Sequence, residues 1–432
     1  MRFVRTVKDI LLRAILARTG GLDLTKLDKI PPHLTWLLER EVLAPSKKLS
    51  KTRDREPVYK AASLLGLEIW IVSGDAEVRE VLGASKQTYS NDIRPYLGTG
   101  RLAEVGVGGL GFTDPPEHTR LRKLITPEFT LRRLARLTPM IEEIVADQLD
   151  QIEAAAALGE TVDLTDAFAF PVPFRVICDL LGMEPERRQH FSKLATARFD
   201  VTTGGSGPFD AATEGLDFLE EEVRRQRINP GPGLIGQIIK EHGDDEISDV
   251  DLAGLADGVF LGGLETSASM LALGTAVLLE RRDLWHQVAN EPDSVEPIVE
   301  ELLRLVTPVQ FAFPRFTKQE TVVAGRTVPK GAVLVCQLPA ANRDPRATIG
   351  DGFNPEAATG SHLAFGHGFH RCVGAELGRM ELRKAFPMIA ARFPNMVLAT
   401  PLSDLDYRAT SIVFGVEQVP VWPSGVPVTH SA

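Results

Sequence analysis

Phe365-Gly366-His367-Gly368-Phe369-His370-Arg371-Cys372-Val373-Gly374 gathers three glycines, two aromatics, two histidines and an arginine around one cysteine. Ala375 to Leu382 follows at once with helical spacing, which puts Cys372 just ahead of a helix N-terminus. Backbone N–H groups and the helix dipole at such a place favour a thiolate over a thiol. The glycines let the backbone turn tightly and come close to another group. The pattern suits a cysteine used as an anionic ligand, against the simpler reading of a structural cysteine in a glycine-rich turn.

Upstream of this loop, Val299-Glu300-Glu301-Leu302-Leu303-Arg304 predicts a helix on which Glu301 and Arg304 can pair across one turn. Further upstream, Ser248-Asp249-Val250-Asp251 forms a capping box that opens a helix running to about Glu280. At about 1.5 Å per residue it spans nearly 50 Å, enough to cross a whole domain. Its centre reads Leu261-Gly262-Gly263-Leu264-Glu265-Thr266-Ser267. Each helical glycine costs about 1 kcal/mol relative to alanine, so close passage over a flat ligand or tight helix packing must offset it. Glu265 beside Thr266 can relay protons into a dry pocket.

Asp114-Pro115-Pro116-Glu117-His118-Thr119-Arg120-Leu121-Arg122 starts another helix, with His118 and Arg122 four apart on one face. They can clamp carboxylates, or belong to a solvated basic face. Gly106 to Gly111 matches Gly-x-Gly-x-x-Gly, but the prolines that follow prevent a helix from opening there, so we read a loop and not a nucleotide site. Leu67 to Val72 reads as a strand and Asp75 to Leu82 as a helix, while 139–158, 162–182, 186–199 and 210–228 carry helical periodicity. Gly204 to Pro208 and the basic stretch 45–57 read as loops. Residues 1–18 read as an amphipathic helix that packs on the protein or touches a membrane surface.

The chain has 432 residues, of which 44% are hydrophobic and 25% charged, ordinary for a globular protein. A net charge of −10 argues against nucleic acid as a partner. No apolar stretch is long enough for a transmembrane anchor, and no secretory leader is expected. Cys178, Cys336 and Cys372 are too far apart for a disulfide framework or a zinc site, which fits a reducing, cytoplasmic setting.

Taken together, Phe-Gly-x-Gly-x-His-x-Cys-x-Gly, Gly-Gly-Leu-Glu-Thr, Glu-x-x-Arg and His-x-x-x-Arg occur in an order that resembles the cytochrome P450 superfamily, of the bacterial soluble type. The resemblance runs from about residue 65 to 421. It implies a mainly α fold with small β-sheets, one large triangular domain over 61–432 with its long helix above a haem, and an N-terminal extension over 1–60. It implies haem b with Cys372 as its thiolate ligand and Phe365 beside the sulfur. His118, Arg122, Arg315 and His370 would hold the propionates, and Gly262 would let the helix pass over the ring. Thr266 would serve dioxygen activation and Glu265 the proton path. Val259, Leu261, Val309, Gln310, Phe311, Ala312, Ser411 and Ile412 would line the substrate pocket, with Glu301 and Arg304 buried as a structural pair. The family's usual arginine after the Phe-x-Pro segment is missing from Phe353-Asn354-Pro355-Glu356-Ala357-Ala358. Arg346, His362 or local backbone is expected to take its place.

The activity implied is insertion of one atom of O2 into a small or medium hydrophobic substrate. No flavin, iron–sulfur or nicotinamide site is evident, so a ferredoxin and its reductase would supply NAD(P)H-derived electrons. Arg120, Lys123, Arg132, Arg133, Arg136 and Arg371 are candidates for their docking face. The alternatives are a peroxide-using or isomerase-type haem-thiolate catalyst, and a non-catalytic haem-binding sensor.

Overall fold

In a computed structural model of the chain, residues 35–64, 67–96, 109–195, 207–348, 350–357, 361–408 and 411–425 are described. The expected helix over 1–18, Gly106 to Gly108 and the loop over 204–206 lie outside them.

The basic stretch after residue 45 is a helix rather than a loop. In α1 (Lys47–Arg55) the Ser46 hydroxyl caps the N-terminus by accepting from Leu49 N–H at 3.3 Å. Leu49 is fully buried. Arg53 is buried too and donates to the carbonyls of Ala340 and Arg343 (2.8 and 3.0 Å). The boundary expected near residue 60 falls inside β1 (Val58–Leu64), which pairs antiparallel with β2 (Leu67–Val72). The N-terminal residues from 35 onward are therefore part of the body. α2 (Asp75–Gly83) follows.

β3 (Tyr89–Ser90), β5 (Arg315–Thr317) and β6 (Val333–Cys336) complete a five-stranded sheet in the order β1-β2-β6-β5-β3. Only β2 and β6 run parallel, with Leu334 opposite Trp70. A smaller sheet joins β4 (Val162–Asp163), β7 (Val397–Leu398) and β8 (Pro420–Trp422). β4 corrects the single helix expected over 162–182. Val162 pairs with Val421, a partner far along the chain, and the helix proper starts only at Pro171.

The helices α3 (Glu117–Ile125), α4 (Thr138–Ala156), α5 (Pro171–Leu181), α6 (Gly207–Ile228), α7 (Asp249–Glu280), α8 (Pro292–Val306) and α9 (Ala375–Arg392) pack into one apolar core. Gly207 and Pro208 open α6 and do not belong to a loop, as suits proline in a first helical turn. α7 has the expected bounds and cap, Ser248 Oγ accepting from Asp251 N–H at 3.1 Å. It is long and apolar enough to cross a membrane, but 72% of its most apolar window is buried inside the protein. It is a core helix, packed against α5, α6 and α9.

Candidate active site around Cys372

Burial along α7 is interrupted at its centre. Gly258, Leu261, Gly262, Gly263 and Thr266 keep accessible surface, Gly262 the most, while Leu252 to Ala256 and Ser267 to Leu279 are buried. Positions four apart share one helical face, so Gly258, Gly262 and Thr266 look onto a single internal space. The two glycines differ in role. A Cβ on Gly263 would lie 2.5 Å from Ile177 Cδ1, whereas one on Gly262 would meet nothing within 4 Å. Gly263 thus serves helix packing, and Gly262 belongs to the open face.

The cysteine loop owes its shape to its glycines. Gly366 and Gly368 have φ of 69° and 73°, which side-chain-bearing residues avoid. A Cβ on Gly368 would also collide with the Leu82 carbonyl. Cys372 N–H donates to Phe365 O at 2.9 Å, and the sulfur accepts from Gly374 N–H. The Phe365 ring lies under the Arg379 guanidinium at 4.6 Å and beside Gly378.

Cys372 is exposed by surface area, yet burial is the main influence on its thiol. Both hold for a residue facing an enclosed space. Burial pushes the thiol pKa up, and the Gly374 N–H with the charges of Arg122, Arg371 and Arg379 offsets only part of that. The thiolate expected from the helix terminus is therefore not favoured by the protein alone. A cation held against the sulfur would supply what is missing.

His118, Arg122, Arg315 and His370 are brought together. The His118 and His370 rings lie 4.3 Å apart, and each leaves Nε2 buried without a hydrogen-bond partner. Burial, then the charge of Arg122, holds His118 at about 4. Burial, then the charges of Arg315 and His118, holds His370 at about 3. Both are neutral at pH 7. Arg315 is buried and donates to Phe313 O at 2.8 Å. Among the described residues no carboxylate pairs with Arg122 or Arg315, and Asp114 nearby is taken by Lys318 at 3.0 Å. An open cavity of about 750 Å³ borders His118, Arg122 and Phe369 and extends to Lys86, Lys123 and Thr130, without reaching Arg315, His370 or Cys372. Two cations with no carboxylate partner among the described residues and two unsatisfied imidazoles are suited to receive carboxylates.

Glu265 and Thr266 point different ways. Thr266 Oγ1 donates to Gly262 O at 2.6 Å on the open face. Glu265 is buried, and burial raises its carboxyl pKa against the pull of Arg408, whose Nη1 lies 3.2 Å from Oε2.

The pocket set divides. Leu261, Val309 and Ala312 keep partial exposure, Ile412 is 41% exposed, and Val259 is 8% exposed. Gln310 is a correction: it is 0% exposed, and its amide donates to Leu38 O (3.2 Å) and Ser411 O (2.9 Å). Phe311 packs against the Leu37, Leu49 and Ile71 cluster, toward the N-terminal residues. Ser411 is buried and offers its carbonyl to Gln310. Burial varies residue by residue along 309–312, and Val309 and Ala312 also pack on the cluster around Val58, Val72 and Leu338, so only part of the segment can line a pocket.

Glu301 and Arg304 pair as two hydrogen bonds of 2.8 Å, with both side chains buried. Backbone fills the place of the missing arginine. Asn354 N–H donates to Glu301 Oε1 (2.8 Å), and Arg304 donates to the carbonyls of Asn342, Gly350 and Gly352 (2.9, 2.8 and 2.5 Å). Arg346 instead pairs with Asp344 and Glu77, and His362 with Glu300. Of the candidate docking cations, Arg120 is paired with Asp251, Arg133 with Glu128 and Glu241, and Arg136 with Glu128. Lys123, Arg132 and Arg371 are exposed.

The sequence model described as Cytochrome P450 matches residues 44–200 and 214–398. The chain belongs to the cytochrome P450 family. It is 35% identical to Cytochrome P450 165C4 of Amycolatopsis orientalis over 84% of this chain and 89% of that one. It is 30% identical to 6-deoxyerythronolide B hydroxylase of Saccharopolyspora erythraea over 86% and 94%. Among solved structures, P450 StaH from glycopeptide antibiotic A47934 biosynthesis superposes with a TM-score of 0.80 at 32% identity, covering 91% of this chain and 100% of that one. The protein is thus a P450 monooxygenase with haem b as its cofactor. The donor set fits that group: an accessible thiol, a carboxylate receptor and a glycine face open to a flat ring.

Sequence reasoning passed over Arg408, Arg379 and Glu381 in this P450. Glu381 is buried beside Ser267, and burial pushes its carboxyl up to about 8. An acidic residue inside the apolar stripe of α9 was the available signal.

Proposed function

We propose that this P450 inserts one atom of O2 into a hydrophobic organic substrate and releases the other as water, with two electrons from a ferredoxin and its NAD(P)H-dependent reductase. The observation that carries the reading is the carboxylate receptor, His118, Arg122, Arg315 and His370, beside the accessible Cys372 sulfur. Cys372 would be the metal ligand, and these four residues would hold the propionates. Haem supplies dioxygen activation, which a thiolate ligand favours. Gly262 leaves room for the ring. Thr266, on the open face, would hold a proton donor position toward the bound gas, and Glu265 would feed protons from the Arg408 side. Leu261, Val309, Ala312, Val259 and Ile412 would exclude water and contact the substrate. The names of the relatives, a hydroxylase and an enzyme of glycopeptide antibiotic biosynthesis, favour an antibiotic precursor as substrate. Cytoplasmic residence fits the need for a reduced ferredoxin.

Docking of an acidic ferredoxin is assigned to Lys123, Arg132 and Arg371. Arg120, Arg133 and Arg136 are committed to carboxylates of the chain itself. The test is turnover with ferredoxin, reductase and NADPH against turnover with hydrogen peroxide alone. Product with the electron partners, slowed at low salt by Lys123→Glu with Arg132→Glu, supports the reading. Product with peroxide only would replace it with a peroxygenase.

A further inference from the structure

Arg40 stands outside the region that the P450 family model matches, which begins at residue 44. It nevertheless reaches across the molecule. Its Nη1 donates to Val306 O at 2.7 Å and Leu43 O at 3.2 Å, its Nη2 to Thr307 O at 2.8 Å, and its Nε to Gln310 Oε1 at 3.0 Å. The guanidinium carbon also sits 4.0 Å above the Phe414 ring. Among the described residues no carboxylate pairs with this cation.

The partners explain why a cation belongs there. Val306 ends α8, and Thr307 leaves it with φ 37°. The last carbonyls of a helix lack intrahelical partners and carry the negative end of its dipole. Arg40 thus caps α8 from a distant part of the chain. Immediately beyond, Val309 pairs with Val413, Gln310 N–H donates to Ile412 O (3.0 Å), and Phe414 N–H donates to Pro308 O (2.8 Å). Segments 308–310 and 412–414 are therefore one small paired unit, which continues on its other side into 336–338, where Phe311 pairs with Gln337 and Ala312 N–H donates to Cys336 O (3.0 Å). Arg40 holds both strands, one through Gln310 and the other through Phe414.

We propose that Arg40 is a positioning residue that fixes this unit and so sets the shape of the substrate side of the pocket. The inference rests on the proposed function, because it takes Val309 and Ile412 to be the pocket-facing members of the unit. It assigns a specificity role to a residue that touches neither substrate nor haem.

The test compares the wild-type holoenzyme with Arg40→Met and Arg40→Lys by two readouts. The first is amide hydrogen exchange, which needs no activity. Arg40→Met should speed exchange of the Gln310 and Phe414 amides at least tenfold while α7 stays protected, and Arg40→Lys should restore part of the protection. The second is binding of two haem-directed probes read by the Soret shift, imidazole and clotrimazole. Arg40→Met should change the clotrimazole affinity at least fivefold and the imidazole affinity less than twofold, because only the bulky probe senses the pocket wall. Unchanged exchange overturns the proposal. Faster exchange with an unchanged ratio of the two affinities also overturns it, leaving Arg40 a purely structural cap. Absence of any Soret shift in the wild type would instead refute the haem reading, with the exchange result still deciding whether Arg40 holds the unit.

Discussion

Arg379 holds Glu300 through two hydrogen bonds, Nε to Oε1 at 2.6 Å and Nη2 to Oε2 at 2.9 Å. His362 Nε2 meets the same carboxylate at 3.2 Å. One carboxylate on α8 therefore fastens both flanks of the cysteine loop, since His362 precedes Cys372 and Arg379 follows it. The sulfur is placed by this staple as much as by the loop's own glycines.

The staple is pH-sensitive in a defined direction. Burial alone would raise the Glu300 carboxyl, but hydrogen bonds from His362 and Arg379 overcome it and hold the pKa at about 2, down from 4.5. A lowered folded-state pKa gives stability that is complete above about 4.5 and lost as pH falls through about 2. Its size is on the order of 3 kcal/mol. Urea unfolding of wild type and Glu300→Gln should show a gap at pH 7 that closes as pH drops across this window. A gap constant with pH would remove the ionised staple from the account.

Glu301 and Arg304 should behave as a buried pair. Arg304→Met leaves Glu301 buried without its partner, and a loss of about 3–5 kcal/mol is expected. Adding Glu301→Gln should recover much of it, because no charge then remains unpaired. Thermal unfolding of the two variants side by side measures this. Equal loss in both would show that the carbonyl contacts of Arg304, not the ion pair, hold the proximal side.

The adjacent glycines of α7 should separate cleanly. Gly263→Ala should cost roughly 1–3 kcal/mol through overpacking against Ile177, and Ile177→Val should relieve it. Gly262→Ala should leave unfolding unchanged or raise stability by up to about 1 kcal/mol, while weakening haem retention or substrate binding. The reverse assignment in thermal unfolding and haem-release assays would mean that the ring does not lie over Gly262.

Thr266→Ala should keep the fold and the optical spectrum but raise NAD(P)H consumed per product formed. The measurement is the ratio of product to cofactor oxidised, and an unchanged ratio would remove Thr266 from proton handling.

What could be read from the sequence was whatever depends on near neighbours. The bounds of α7 followed from the Ser248 cap and an uninterrupted apolar run, and the Glu301–Arg304 pair from helical spacing. The cysteine loop was legible because its glycines mark backbone demands. Contacts made over long separations were not. β4 looked helical because its partner Val421 lies at the far end of the chain. The replacement for the missing arginine stayed open among Arg346, His362 and local backbone because the groups that meet the pair are backbone N–H and carbonyls, which every residue has. The surroundings of Gln310 and Phe311 were not legible because a short strand shows no face until its partners are known, and here these are segment 411–414 with Arg40 for Gln310 and Gln337 for Phe311. At Cys372 the helix terminus is visible in sequence, whereas the desolvation that pushes the thiol up is not.

The central claim is that Cys372 ligates haem iron through its sulfur. The direct measurement is the optical spectrum of the reduced protein under carbon monoxide, for wild type and for Cys372→Ala. The account predicts a strongly red-shifted Soret band in the wild type and its loss in the variant. A folded, haem-loaded wild type without that band, or a variant that keeps it, would contradict the account.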